Sequence, residues 1–297
     1  MPVFRFCSYI AAFLVALAGC RPADRAAAPT DAPRDDYGTP IIIGRAPQRI
    51  VSLNPATTEI LFAIGAGPRL VGRSQYDVFP DSARLVPSVG AALRPNIESV
   101  LATHPDLVVL YASQDNRPAA ERFRQAGIQT VAFKNDSIEA FARDTRLLGR
   151  VTGDSARAAT LVDSIMATLA HVRAATANLP RPTVLIHAWE RPIIVIGGGS
   201  FLSQLLDIAG AKNVYADIAA PSSTVTLEDI VRRNPDFVLA SPVSAPAMRS
   251  SASWRAVPAV RAGRLLVYDT VLVGRPSVSL GAAARSLADL IHPGAVR

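Results

Sequence analysis

Cysteine and lysine are almost missing from this 297-residue chain. Its two cysteines, Cys7 and Cys20, cannot make a disulfide framework or a cysteine-rich zinc module. Only Lys134 and Lys212 stand beside 29 arginines, and the formal net charge is +7. No basic run or basic–aromatic cluster accompanies that charge, so nucleic acid is not an expected partner. Beyond residue 20 no apolar stretch is long enough to span a bilayer, which takes roughly 20 residues. The nucleophile signature Gly-x-Ser-x-Gly is absent, and nothing argues for an enzyme. Four histidines are spread along the chain: His104, His171, His187 and His292. Only His187, closing an expected strand, is placed to face a cleft, and one ligand does not hold zinc or manganese. With 49% hydrophobic residues, 18 Gly and 23 Pro, the chain is neither collagen-like nor disordered. Its length allows one large or two medium domains.

What is present starts at the N-terminus. Arg5 precedes an apolar run from Phe6 to Ala18, broken by Ser8 and of signal-peptide length. The run ends in Leu17-Ala18-Gly19-Cys20, which resembles the bacterial lipobox. Residues 1–19 are expected to be a lipoprotein signal peptide, with Cys20 the lipidated residue. The alternative is an ordinary buried cysteine in a first helix. Residues 20–47 are rich in Pro, Ala, Asp and Thr and read as a flexible tether between membrane and domain.

From Arg49 onward, short apolar runs alternate with helical ones. Ile50–Leu53 is a strand, and Asn54-Pro55 caps and opens a helix that stops near Gly65. Leu70–Gly72, Leu107–Leu110 and Ile128–Val131 follow as strands, with helices at 97–103 and 118–126 between them. The alternation predicts a parallel sheet covered on both faces. Residues 154–177 contain neither Gly nor Pro and read as one helix of about 36 Å. A second α/β pattern follows, with strands at 184–187 and 193–196. The expected fold is α/β, two parallel-sheet lobes (48–153 and 179–297) joined by the single long helix 154–178, with a ligand cleft between them.

The second pattern copies the first. Residues 96–108 align with 226–238 at a constant offset of 130, matching Glu98 with Glu228, Pro105 with Pro235 and Asp106 with Asp236. Each Glu sits in the first turn of its helix, where the macrodipole favours a carboxylate. Equivalent places in two halves suggest more: a pair of exposed carboxylates that docks on two basic sockets of a dimeric partner. Gly197-Gly198-Gly199-Ser200 could cradle an anion, but it fits no phosphate-loop spacing. A turn that lets strand and helix approach closely is the plainer reading.

Several of these segments resemble one family. Ile50-Val51-Ser52-Leu53-Asn54-Pro55-Ala56-Thr57-Thr58-Glu59, Val71–Pro80, Asn96-Ile97-Glu98, His104–Val108, Gly198–Leu205 and Gly274-Arg275-Pro276 are similar to periplasmic receptors for cobalamin and iron complexes, of the class with a helical backbone between lobes. The resemblance covers roughly residues 49–293. It implies binding without catalysis, small hinge motion, and docking of Glu98 and Glu228 on arginines of an ABC permease dimer with its ATPase. It further implies that Tyr76 lies against the ligand and that Arg275 reaches it from the second lobe. Two aromatics common in cobalamin binders are replaced by Ala91-Ala92 and Pro221-Ser222-Ser223; Trp189 is the candidate substitute. Arg94, Arg191 and Arg275 all fall on expected cleft loops, and their convergence would suit an anionic ferric siderophore or haem propionates. The expectation is therefore an extracytoplasmic, lipid-anchored receptor that takes a metal complex as cargo and needs no cofactor. Cobalamin is placed first, with siderophore or haem as the alternative. A lipid-anchored α/β hydrolase is a second alternative, and a free-metal receptor a third.

Overall fold

The computed structural model describes residues 32–296. The signal sequence and Cys20 lie outside the described residues. The first lobe comprises β1 (Ile50–Leu53), α1 (Pro55–Ala63), β2 (Leu70–Arg73), α2 (Ile97–Leu101), β3 (Leu107–Tyr111), α3 (Arg117–Gln125), β4 (Gln129–Phe133) and α4 (Ile138–Thr152). Its four strands are all parallel, in the order β2-β1-β3-β4. Alternate strand residues serve two cores. Ile50, Leu107, Val109 and Phe133 join Ile60 of α1 and Phe141 and Leu148 of α4. Val51, Leu53, Val108 and Leu110 pack with Val100 of α2 and Phe123 of α3 on the other face. A strand covered on both sides has to be apolar throughout, which is why these runs lack polar alternation.

Helix α5 (Ser155–Thr176) is unbroken, 22 residues and about 33 Å long. Its buried side chains, Ala158, Val162, Ile165, Leu169, Val172 and Thr176, recur every three or four positions along one stripe. The second lobe follows with β5 (Thr183–Trp189), β6 (Ile194–Ile196), α6 (Phe201–Ile208), β7 (Lys212–Asn213), β8 (Ser222–Thr224), α7 (Leu227–Arg233), β9 (Phe237–Ala240), α8 (Ser244–Ser250), α9 (Pro258–Arg261), β10 (Leu265–Val267) and α10 (Leu280–Ile291). One core runs through the bridge: Ile165, Leu169 and Val172 of α5 join Phe141 and Leu148 of the first lobe to Val184, Leu205 and Leu287 of the second.

The structure corrects three expectations. The second sheet is mixed, in the order β10-β9-β5-β6-β8, with β6 antiparallel to both β5 and β8. Four residues between β5 and β6 allow only a reversal, whereas a parallel return needs a crossover of a dozen or more. Helix α4 belongs to the first lobe and was not expected. Its signals are present: the Ser137 side chain accepts from the Ala140 N–H at 3.1 Å, and Gly153 ends the helix at φ +80. Residues 33–42, expected as tether, instead pack on the lobe. Buried Asp35 accepts from the Thr39 N–H at 2.8 Å and the Ala132 N–H at 3.2 Å and pairs with Arg124 at 2.9 Å. Ile41 is buried beside it. The segment is held mainly by side-chain acceptors and turns, which leave no hydrophobic period to read.

The repeated unit is geometrically real. His104 and Asn234 both take left-handed backbone, at φ +48 and +46. The next Asp of each copy then ties down the neighbouring strand. Asp106 accepts from the Gln48 and Arg49 N–H groups at 2.8 and 2.9 Å, and Asp236 accepts from the Thr183 N–H at 2.8 Å.

Candidate functional site

In α/β sheets, ligands bind beyond the carboxyl ends of the strands. Here those ends from the first lobe, together with the loops after β6 and β10 of the second, border one cavity of about 400 Å³. Asn54, Tyr111, Asn135 and Asp136 line it from the first lobe, Phe201 and Arg275 from the second. Each arrives by local chemistry. Asn54 caps α1, its side chain accepting from the Ala56 N–H at 3.0 Å. Phe201 opens α6 behind the Ser200 cap, and its N–H reaches across to the Asp136 carbonyl at 3.2 Å. The Tyr111 hydroxyl donates to both Asp136 oxygens, at 2.8 and 3.0 Å. Burial, with Asp136 alongside, pushes the Tyr111 pKa far above the neutral range, so its proton stays on.

A smaller hollow of about 110 Å³ adjoins Arg275 and is also lined by Glu59, Phe79 and Val271. Glu59 on α1 is only 3% exposed. It accepts from Arg275 Nε and from the Ser277 hydroxyl, binding the loop after β10 to the first lobe. The Tyr76 loop is fixed by buried Asp77, which accepts from the hydroxyls of Ser74 and Thr58. Burial pushes the Asp77 carboxyl up from its ordinary range, with those hydrogen bonds acting in the opposite direction.

Of the expected ligand residues, Arg275 lines the cavity. Tyr76 and Trp189 stand 59% and 62% exposed at the carboxyl ends of β2 and β5. Arg94 does not converge with Arg275. It pairs with Asp115 at 2.8 Å over a separate hollow of the first lobe, its backbone at φ +50 held by Asn116 Oδ1. Arg191 is exposed and forms no ion pair among the described residues. His187 does not face the cleft. Its buried ring meets the Trp254 ring edge-on at 5.6 Å and Glu190 at 3.1 Å, and burial pulls its pKa down. Among the described residues no cluster of metal-ligating side chains occurs, and no helix is long and apolar enough to cross a membrane.

The glycine run is structural. A Cβ on Gly198 would sit 2.3 Å from the Ala216 carbonyl oxygen, and one on Gly199 2.1 Å from that of Ala219. The Gly197 and Gly198 N–H groups already donate to Pro221 and Ile218, which leaves no anion cradle. Glu98 and Glu228 are both exposed in the first turns of α2 and α7. A larger hollow, about 550 Å³, lies against α5 and α6 away from the strand ends. Its polar groups are mutually paired, Arg173 with Asp207 at 3.0 Å and Glu139 with Gln204 at 2.9 Å. Sequence reasoning missed Asn135, Asp136, Tyr111 and the pairing of Glu59. The readable signal was the abrupt polar Lys134-Asn135-Asp136 after an apolar strand.

Comparison with known proteins agrees with this architecture. The uncharacterized ABC transporter substrate-binding lipoprotein YvrC of Bacillus subtilis is 30% identical over 262 residues, covering 85% of this chain and 82% of the relative. The periplasmic vitamin B12 binding protein BtuF of Vibrio cholerae is similar in structure, with a TM-score of 0.74 at 22% identity over 82% of this chain and 96% of that one. The periplasmic heme-binding protein RhuT of Roseiflexus sp. RS-1 gives a TM-score of 0.74 at 23% identity, covering 84% and 99%. The likeness is one of fold, here an α/β fold with one parallel and one mixed sheet. Residues 50–272 match the sequence pattern of periplasmic binding proteins, and the chain belongs to that family.

Proposed function

We propose that this chain is the extracytoplasmic substrate-binding component of an ABC importer and that its cargo is cobalamin. The observation that carries this reading is the cavity bordered by both lobes, with exposed aromatics, Tyr76 and Trp189, standing outside its lining, one on each lobe. Large apolar ring faces suit a macrocycle. Similarity to a vitamin B12 binding protein and to a substrate-binding lipoprotein supports the class of cargo and the role. Glu98 and Glu228 then dock on the permease dimer, whose ATPase drives release inward. Cys20 carries the lipid that keeps the receptor at the membrane.

Haem is the second reading, favoured by the equal structural likeness to a heme-binding protein. Against it, two of the three arginines expected to meet propionates or a siderophore are engaged elsewhere, and only Arg191 is without an ion pair among the described residues. Arg94 is paired with Asp115, and the charge of Arg275 is offset by buried Glu59. Membership of a family of binding proteins speaks against the hydrolase reading.

All candidate ligands are coloured, so the test is direct. The purified protein is incubated separately with cyanocobalamin, haem and a ferric siderophore, desalted, and its visible spectrum recorded. Retention of the corrinoid spectrum at one per chain is the expected result. Retention of haem alone would replace cobalamin by the second reading.

A further inference from the structure

The wall of the cavity formed by the first lobe holds a carboxylate and a spare donor side by side. Both oxygens of Asp136 take the Tyr111 hydroxyl, and no cation lies within ion-pair distance among the described residues. Asn135, the preceding residue, is 4% exposed. Its Oδ1 accepts from Asn54 Nδ2 at 3.1 Å, while its own Nδ2 has no partner. A buried N–H left unpaired is destabilising, and a ligand acceptor at this wall would satisfy it. The surroundings offer Asp136 no spare cation: the single guanidinium of Arg143 is shared by Asp36 and Asp144, at 2.7 Å from each. On the facing wall Arg275 offers no free charge, because Glu59 holds it.

Resting on the cobalamin reading, we propose that Asn135 and Asp136 form a selectivity filter for ligands whose rim carries primary carboxamides, and against ligands that present a carboxylate there. A carboxamide joins an acceptor oxygen and a donor nitrogen on one carbon. Asn135 Nδ2 donates to that oxygen, and Asp136 accepts from that nitrogen. A carboxylate has no proton to give Asp136 and would place a second negative charge beside it, in a cavity where like charges are poorly screened. The corrin rim bears carboxamides, whereas haem ends in propionates, so the same pair of residues separates the two cargoes.

The test compares ligands that differ in this one group. Dissociation constants are measured for cyanocobalamin against the three monocarboxylic acids made by hydrolysing one side-chain amide, and for haem against its dimethyl ester. In the wild-type protein the uncharged member of a pair binds at least tenfold tighter, for at least one of the three acids and for haem. In Asp136→Asn that ratio falls to about threefold or less. Equal binding of all three acids and the parent, or a ratio unchanged in Asp136→Asn, overturns the filter. If the porphyrins bind and no corrinoid does, the cobalamin reading falls, and the ratio of ester to acid still decides the filter. If neither ring binds, both fall.

Discussion

The two lobes share one unit and differ around it. In both, a short capped helix bearing an exposed Glu runs through a left-handed residue and a Pro-Asp corner into a central strand. Around that unit the first lobe is wholly parallel and enters α1 through Asn54 alone. The second inserts β6, antiparallel to β5 and β8 on either side of it, and enters α6 through three glycines. Their buried titratable groups differ as well: the carboxylates of Asp35, Glu59, Asp77 and Asp144 in the first lobe, His187 with the phenols of Tyr215 and Tyr268 in the second. The copies agree where a dimeric partner would meet them and diverge where a ligand, which has no such symmetry, would lie.

The sharpest way to break the comparison is at the shared carboxylates. Glu98→Arg combined with Glu228→Arg should abolish uptake in a transport assay while the ligand dissociation constant stays unchanged. Either single reversal should give a partial loss of similar size, and unequal losses would show that the lobes dock differently.

Next in size is the asymmetry in buried charge. Burial, opposed by Arg143, pushes the Asp144 carboxyl up to about 7. Its folded-state pKa exceeds its unfolded value, so folding favours the protonated form. That stability is complete below about pH 4 and is lost as pH rises through about 7, amounting to at most about 4 kcal/mol. Thermal melts should show the wild type losing Tm from pH 5 to 8, and Asp144→Asn should flatten the slope.

Smaller effects sharpen the contrast at the strand ends. Gly198→Val, which forces a side chain against the Ala216 carbonyl, should lower stability to urea by about 1–3 kcal/mol. Tyr76→Ala should weaken ligand binding by roughly 1–3 kcal/mol in a calorimetric titration, and Trp189→Ala on the other lobe by a similar amount. Smallest are the duplicated corners. Asp106→Ala and Asp236→Ala should each cost about 1 kcal/mol at pH 7 in the same urea titration, because each leaves an exposed strand-end N–H to water. Unequal losses there would mark the corners as alike in shape and different in worth.

Much of the scaffold is legible in the chain. The strand at 50–53, the Asn54-Pro55 helix start and the bridge at 154–177 rest on local rules of capping, proline placement and glycine absence, and the structure has them within a residue or two. The offset of 130 locates the repeated corner, where His104 and Asn234 both take left-handed backbone. The site was less legible, because its decisive contacts are non-local. Glu59 and Arg275 meet across 216 positions, and nothing in either neighbourhood marks the pairing. Arg94 looked available because a partner at Asp115 requires knowing how the loop after β3 folds back.

By itself, the order of apolar runs, caps and breakers determined that this is a duplicated α/β chain with a stiff helix between its halves. Those features arise from interactions within a few residues. Only the tertiary structure decided which charges are spent on one another, that β6 runs backwards, and that Asn135 and Asp136 share a wall with Arg275. Such facts depend on which distant surfaces are pressed together, and burial sets both the cost and the pairing of each polar group only once that packing exists.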